Sequence, residues 1–171
     1  MNTPALCCKA LDLLDHLNAG PTTLELRVLY RNALIVAFQC VFALRKRNLL
    51  GMALGRNLVV EEELIRLIFR HEETKTFIPI SWLVPEFLSP YLLEYIQVHR
   101  PALLNGNASN FVWVGSRYHT LRYGAAAHLF NSIGLHLLGR PIACHSFRHS
   151  MATAIMTKDP RQLKLVRPHV R

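Results

Sequence analysis

The stretch HSFRHSMAT at residues 145–153 places two histidines and an arginine at the start of an apolar run. The three side chains fall within about one and a half turns of a predicted helix. A guanidinium group grips phosphate oxygens bidentately, which makes Arg148 a candidate anion ligand. The pair His145 and His149 also has metal-site spacing, but Ser146 occupies the position where a zinc-protease helix has glutamate. We therefore expect no metal and no cofactor.

Composition and charge narrow the class of protein. The chain has 171 residues, which favours one compact domain, and it is 51% hydrophobic with 18% charged residues, which argues against disorder. Twenty Lys and Arg oppose eleven Asp and Glu, for a formal charge of +9. Such an excess indicates a polyanionic partner such as nucleic acid, with a basic protein that has no such partner as the alternative.

Cysteines and hydropathy predict an intracellular protein. Cys7, Cys8, Cys40 and Cys144 show neither zinc-type spacing nor a disulfide framework, so we expect reduced thiols. The longest apolar run, residues 33–44, is much shorter than the roughly 20 residues that cross a bilayer. The first residues show no export signal. We expect a cytoplasmic protein without a membrane segment.

Hydrophobic periodicity and turn residues predict a mainly helical α+β domain with a small antiparallel sheet. One or two long helices begin near Thr22 and end at Gly55, and a later helix begins at Pro85 and ends at Pro101. Further helices are predicted at 121–139 and 145–158. Short strands are predicted at 56–60, 64–70, 75–81 and 111–114.

Three motifs appear in a specific order along the chain. ALRKRNLL at 43–50 has an arginine at the end of a buried helix, EETKT at 72–76 has a lysine in a turn, and His-x-x-Arg follows at 145–148. In this order they resemble the catalytic domain of the tyrosine recombinase (phage integrase) family, over about residues 30–157. The resemblance implies a mainly helical catalytic domain of that type and a site formed by Arg45, Lys75, His145 and Arg148.

The resemblance also implies roles for these residues. Arg45 and Arg148 would clamp the phosphodiester and stabilise its transition state, and Lys75 would protonate the leaving 5′ oxygen. His145 would act at the attacking oxygen, whereas His149 would support the helix or the DNA backbone without being catalytic. His169 lies where the third family motif belongs, twenty-one positions after Arg148, and is the fifth candidate although it lacks the preceding Leu-Gly.

Departures from the family pattern limit the predicted activity. Asn48 replaces an acidic residue, no tyrosine follows Tyr123, and no amino-terminal core-binding domain precedes the motifs. We interpret residues 1–171 as one partial catalytic domain, truncated at both ends and divergent over 158–171. The aromatic residues Phe111, Trp113, Tyr118 and Tyr123 are interpreted as core rather than as a base-stacking platform.

The predicted function is that of a site-specific DNA recombinase fragment, inactive alone because the nucleophilic tyrosine is absent. Its expected partners are double-stranded DNA, which would associate it with the nucleoid, and other recombinase protomers. The alternative is a noncatalytic DNA-binding or regulatory module of a recombination system. A third reading is a helical interaction protein with no role on nucleic acid.

Overall fold

The computed structural model describes residues 2–19, 23–62, 64–115 and 121–158, with side chains up to Thr153. Two long helices pack together at its centre: α1 (Thr3–Asn18) and α2 (Leu24–Phe42). Asn2 caps α1 by accepting from the Ala5 N–H at 3.1 Å, and Thr23 caps α2, as its position before the apolar run predicts. The sequence did not predict α1.

The long apolar segment after Thr23 is divided into two helices. Helix α2 ends where Ala43 adopts a left-handed conformation with φ 44°, and α3 (Lys46–Gly51) begins after Arg45. Most of α2 is buried, because it is surrounded by other helices on several sides. The break at Ala43 turns the chain away from α2 and places Arg45 at the start of α3.

The sheet has three antiparallel strands in sequence order: β1 (Leu58–Glu61), β2 (Leu64–Phe69) and β3 (Ile80–Leu83). The predicted third strand at 75–81 was wrong in its bounds. Phe77 has φ 55°, which is outside the β region, and Pro79 has no N–H to donate to a ladder. Pairing therefore begins only at Ile80, opposite Phe69.

A second prediction was wrong: the next helical segment does not end at Pro101 but continues through it. It consists of α4 (Ser89–Glu94), one π-helical turn (Tyr95–His99) and α5 (Arg100–Leu104). Pro101 lies in the first turn of α5. The wider π-helical turn before it accommodates the proline, which has no N–H to donate to a helical hydrogen bond. The helix begins at Ser89 rather than at Pro85, with Pro90 in its first turn.

Residues 111–114 were predicted as a strand, and this prediction was also wrong. Among the described residues, Phe111 forms only an isolated bridge with Ala53, while Trp113 is fully buried in the core. The last two helices, α6 (Ala125–Leu138) and α7 (Cys144–Lys158), match the predictions closely. Gly139 ends α6 with φ 68°, a conformation that glycine adopts without a Cβ clash.

Cys7, Cys8, Cys40 and Cys144 form no disulfide. Within the described ranges, no helix is long and apolar enough to cross a membrane.

Candidate functional site

A cavity of about 360 Å³ lies where the starts of α3, α6 and α7 meet. Its walls carry Arg45, Lys46, His145 and Arg148, and none of the residues that line it is acidic. The complete lining comprises Leu44, Arg45, Lys46, Tyr123, Ala126, Ala127, Phe130, Asn131, Ile142, Ala143, Cys144, His145 and Arg148. The cavity is therefore cationic and has an apolar floor.

Gln39 fixes the segment that carries Arg45. Its fully buried amide accepts from the Leu44 N–H at 2.8 Å, donates to the Leu44 carbonyl at 3.1 Å, and contacts the Cys144 sulfur at 3.3 Å. Leu44 directly precedes Arg45, and Cys144 begins α7. One side chain therefore ties the break between α2 and α3 to the helix that carries His145 and Arg148.

Arg148 also links α7 to the end of α2. Its Nη1 donates to the carbonyl of Ala43, the left-handed residue that ends α2, at 3.1 Å. Burial lowers the pKa of the Arg148 guanidinium, and the nearby charge of Arg45 lowers it further. Among the described residues, neither arginine forms an ion pair with a carboxylate.

The two histidines of the motif lie on α7, one turn apart. His145, in the first turn of α7, lines the cavity. The His145 and His149 rings are nearly perpendicular, with centroids 5.7 Å apart. Both also line a neighbouring depression that includes Arg140. Among the described residues, no cluster of three metal-ligating side chains occurs.

Lys75 lies apart from this cavity. It is exposed in the connection between β2 and β3, where Thr74 anchors the turn by donating to the carbonyls of His71 and Ile78 at 3.1 and 2.9 Å. Lys75 thus lies in the connection between two antiparallel strands, but it is not among the residues that line the cavity. Its part in the site stays a prediction.

The comparisons with known proteins find similarity in structure and none in sequence. No family model matches the chain, and no curated protein sequence matches it. Two crystal structures of XerH site-specific recombinase are similar: a pre-cleavage complex with its difH substrate, with a TM-score of 0.67, and a post-cleavage complex with palindromic difH, with a TM-score of 0.66. Each is 18% identical, and each match covers 97% of this chain.

The chain therefore has a fold similar to that of the XerH site-specific recombinase. The predicted fold class is confirmed, and the likeness extends beyond the predicted range of residues 30–157. The chain spans 44% of the length of the XerH chain. The assignment of residues 1–171 to one partial catalytic domain stays a prediction.

Within this fold, the predicted site residues fall into three groups. Arg45, His145 and Arg148 lie together in one cavity, although a hundred positions separate the first from the second. Lys75 lies outside the cavity lining. His169 lies outside the described residues, as does Tyr118.

The cavity also contains residues that the sequence did not predict. No role was predicted for Lys46, and Tyr123 was interpreted as a core residue, yet Tyr123 is 63% exposed and lines the cavity. No role was predicted for Gln39. Its polar side chain within the apolar run at 33–44 was the available signal, because a buried amide needs hydrogen-bond partners.

Proposed function

We propose that this domain binds duplex DNA by gripping a phosphodiester between Arg45 and Arg148, as the catalytic domain of a site-specific recombinase does. One observation carries the proposal: two guanidinium groups share a cavity whose lining contains no carboxylate. Arginine suits this role because its planar donors match two phosphate oxygens at once.

The energetics of the empty cavity favour an anionic ligand. Burial and mutual repulsion both disfavour the charged form of Arg148, as the lowered pKa of this residue shows. A phosphodiester placed between the two arginines relieves the repulsion and supplies acceptors for their unused donors. The net charge of +9 adds a long-range attraction for a polyanion.

The roles of the other candidates follow from the same proposal. His145 lines the cavity and is proposed to act at the attacking oxygen. Lys75 is proposed to donate a proton to the leaving oxygen, which requires its turn to approach the bound DNA. His169 stays a candidate on sequence position alone. XerH, which shares the fold, was crystallised bound to its difH substrate.

Binding by the 171-residue chain tests the proposal directly. We expect fluorescence anisotropy with a labelled duplex to show affinity that falls steeply as salt rises. Changing Arg148 to Gln removes a charge-assisted contact, so affinity should fall by about tenfold or more. The matched control is Arg66→Gln, because Arg66 is paired with Glu61 at 3.3 Å and lies outside the cavity.

Two results would contradict the proposal. Equal losses for Arg148→Gln and Arg66→Gln would indicate diffuse electrostatic attraction instead of a phosphate site. Absence of binding at low salt would remove the nucleic-acid role altogether. Because Arg148 also bonds Ala43, thermal unfolding of each variant should accompany the measurement, and Arg45→Gln provides a second test on the opposite wall.

The position of Lys75 outside the cavity lining favours one alternative, a noncatalytic DNA-binding or regulatory module. Both candidates use the same phosphate site, so binding does not separate them. Strand cleavage does: a fragment of an enzyme should support cleavage when a full-length recombinase is added, and a regulatory module should reduce it.

A further inference from the structure

Lys46 shares the cavity with the two arginines. It is the first residue of α3 and directly follows Arg45. Both line the cavity, whereas Arg47, the next residue, is exposed and does not. The run RKR therefore contributes two of its three charges to the site.

Tyr123 fixes the position of the Lys46 ammonium. The Nζ atom lies 3.6 Å from the centroid of the Tyr123 ring, which is cation–π geometry. Tyr123 precedes α6 by two residues, and the first turns of α6 form the floor of the cavity. A lysine side chain is otherwise flexible, so this contact reduces the number of positions that its charge samples.

Lys46 and Arg148 line the same cavity of about 360 Å³. The charges of both also act on the Cys144 thiol at the start of α7: burial raises the pKa of this thiol, while its hydrogen bond with Gln39 and the charges of Lys46 and Arg148 lower it. A ligand bound in the cavity would therefore lie in the field of both cations.

The Lys46 ammonium keeps N–H donors available for a ligand in this arrangement. It carries three N–H groups, and the face of an aromatic ring satisfies only the side that it covers. Among the described residues, Lys46 forms no ion pair with a carboxylate. Three cations thus face one cavity without an acidic counterion.

We propose that Lys46, held over the ring of Tyr123, is a third phosphate-binding residue and contacts the same DNA strand as Arg45 and Arg148. This inference rests on the proposed function and names a binding residue that the recombinase-like motifs do not include. Lys46 positions the strand through its charge, while the arginines hold the central phosphate.

The experiment compares the effects on DNA binding of substitutions at Lys46 and at the adjacent Arg47, in the full 171-residue chain. Lys46→Gln should weaken binding of a labelled duplex by about tenfold and reduce the slope of log affinity against log salt by about one. Arg47→Gln removes the same charge one residue away, outside the cavity, and should change affinity by less than about twofold. Equal effects of the two variants would overturn the proposal.

Tyr123 variants test how Lys46 is held. Tyr123→Phe keeps the aromatic face and should leave affinity nearly unchanged, whereas Tyr123→Leu should weaken binding. In a Lys46→Gln background, Tyr123→Leu should have no further effect, because its contribution acts through the ammonium. A full additional loss in that background would instead show that Tyr123 contacts DNA itself.

Arg148→Gln separates failure of this inference from failure of the proposed function. If Arg148→Gln weakens binding while Lys46→Gln matches Arg47→Gln, only the role of Lys46 is wrong. If Arg148→Gln also leaves binding unchanged, the phosphate site itself is wrong. Thermal unfolding midpoints close to that of the unmodified chain show that each variant is folded.

Discussion

At the scale of single residues, the buried imidazole of His99 makes stability depend on pH. Its ring stacks on Tyr30 with centroids 3.9 Å apart, and neither ring nitrogen has a hydrogen-bond partner in the described structure. Burial, together with the charge of Arg27, lowers the pKa of His99 to about 4. Glu94, 3.9 Å from Nε2, is the carboxylate that faces the ring.

The sign of the pH effect follows from these contacts. An unfolded histidine binds its proton near pH 6.5, whereas folded His99 binds it only near pH 4. Between these values the unfolded chain holds the extra proton, so stability is lost as pH falls, by up to about 1.4 kcal/mol per pH unit. Urea unfolding between pH 7.5 and 4.5 should show this slope, which His99→Gln should remove and His136→Gln, on the exposed face of α6, should retain.

At the scale of secondary-structure elements, Gly134 sets the distance between α6 and the start of α7. A Cβ added there would lie 2.7 Å from the Ile142 backbone nitrogen and 2.9 Å from the Arg140 carbonyl oxygen. Gly134→Ala should therefore destabilise the fold by about 1–3 kcal/mol, because the backbone must move. We also expect it to weaken DNA binding, because the segment that would move leads into cavity-lining residues such as Ile142, His145 and Arg148.

Gly51 provides the matched control, because it also lies in a helix and a Cβ there would meet no atom within 4 Å. Gly51→Ala should be neutral or stabilising by up to about 1 kcal/mol, since alanine reduces the freedom of the unfolded chain. Chemical denaturation of the two variants checks the pair. Equal stability of both would show that the approach between α6 and residues 140–142 is not tight.

The elements differ in how far local sequence determines them. Helices α6 and α7 were predictable because their apolar spacing is regular and Gly139 marks a stop. The passage of a helix through Pro101 was not, because the π-helical turn that permits it depends on packing around Tyr95 and His99, both of which are buried. The start of β3 likewise depends on Phe77 adopting φ 55°, which no local rule predicts for phenylalanine.

The same contrast applies to the candidate site. Arg45, His145 and Arg148 were recognisable because they occur in motifs whose order along the chain is specific. Lys46 and Tyr123 were not, because a lysine in a charged run and a single aromatic residue carry no pattern. Their pairing brings together residues seventy-seven positions apart, so only the fold shows it.

At the scale of the whole molecule, the charge distribution and the cavity predict binding without covalent chemistry. In the proposed function the arginines would stabilise the charge that develops at phosphorus, but a covalent adduct also needs a nucleophilic side chain. No tyrosine follows Arg148 in the printed sequence. We therefore expect the purified 171-residue chain to bind a nicked suicide duplex and to form no protease-sensitive protein–DNA band on a denaturing gel.

Tyr123 makes this a demanding test, because its ring lines the same cavity as Arg45 and Arg148. The Lys46 ammonium lies over one face of the ring, and Tyr123 precedes α6, whereas the nucleophile of the tyrosine recombinases that the motifs resemble follows the His-x-x-Arg helix. If the hydroxyl of Tyr123 nevertheless attacked the phosphodiester, mass spectrometry would map a covalent nucleotide to that residue and Tyr123→Phe would abolish it. That result would contradict the prediction, whereas slow nicking without an adduct would mean that water attacks in place of a tyrosine.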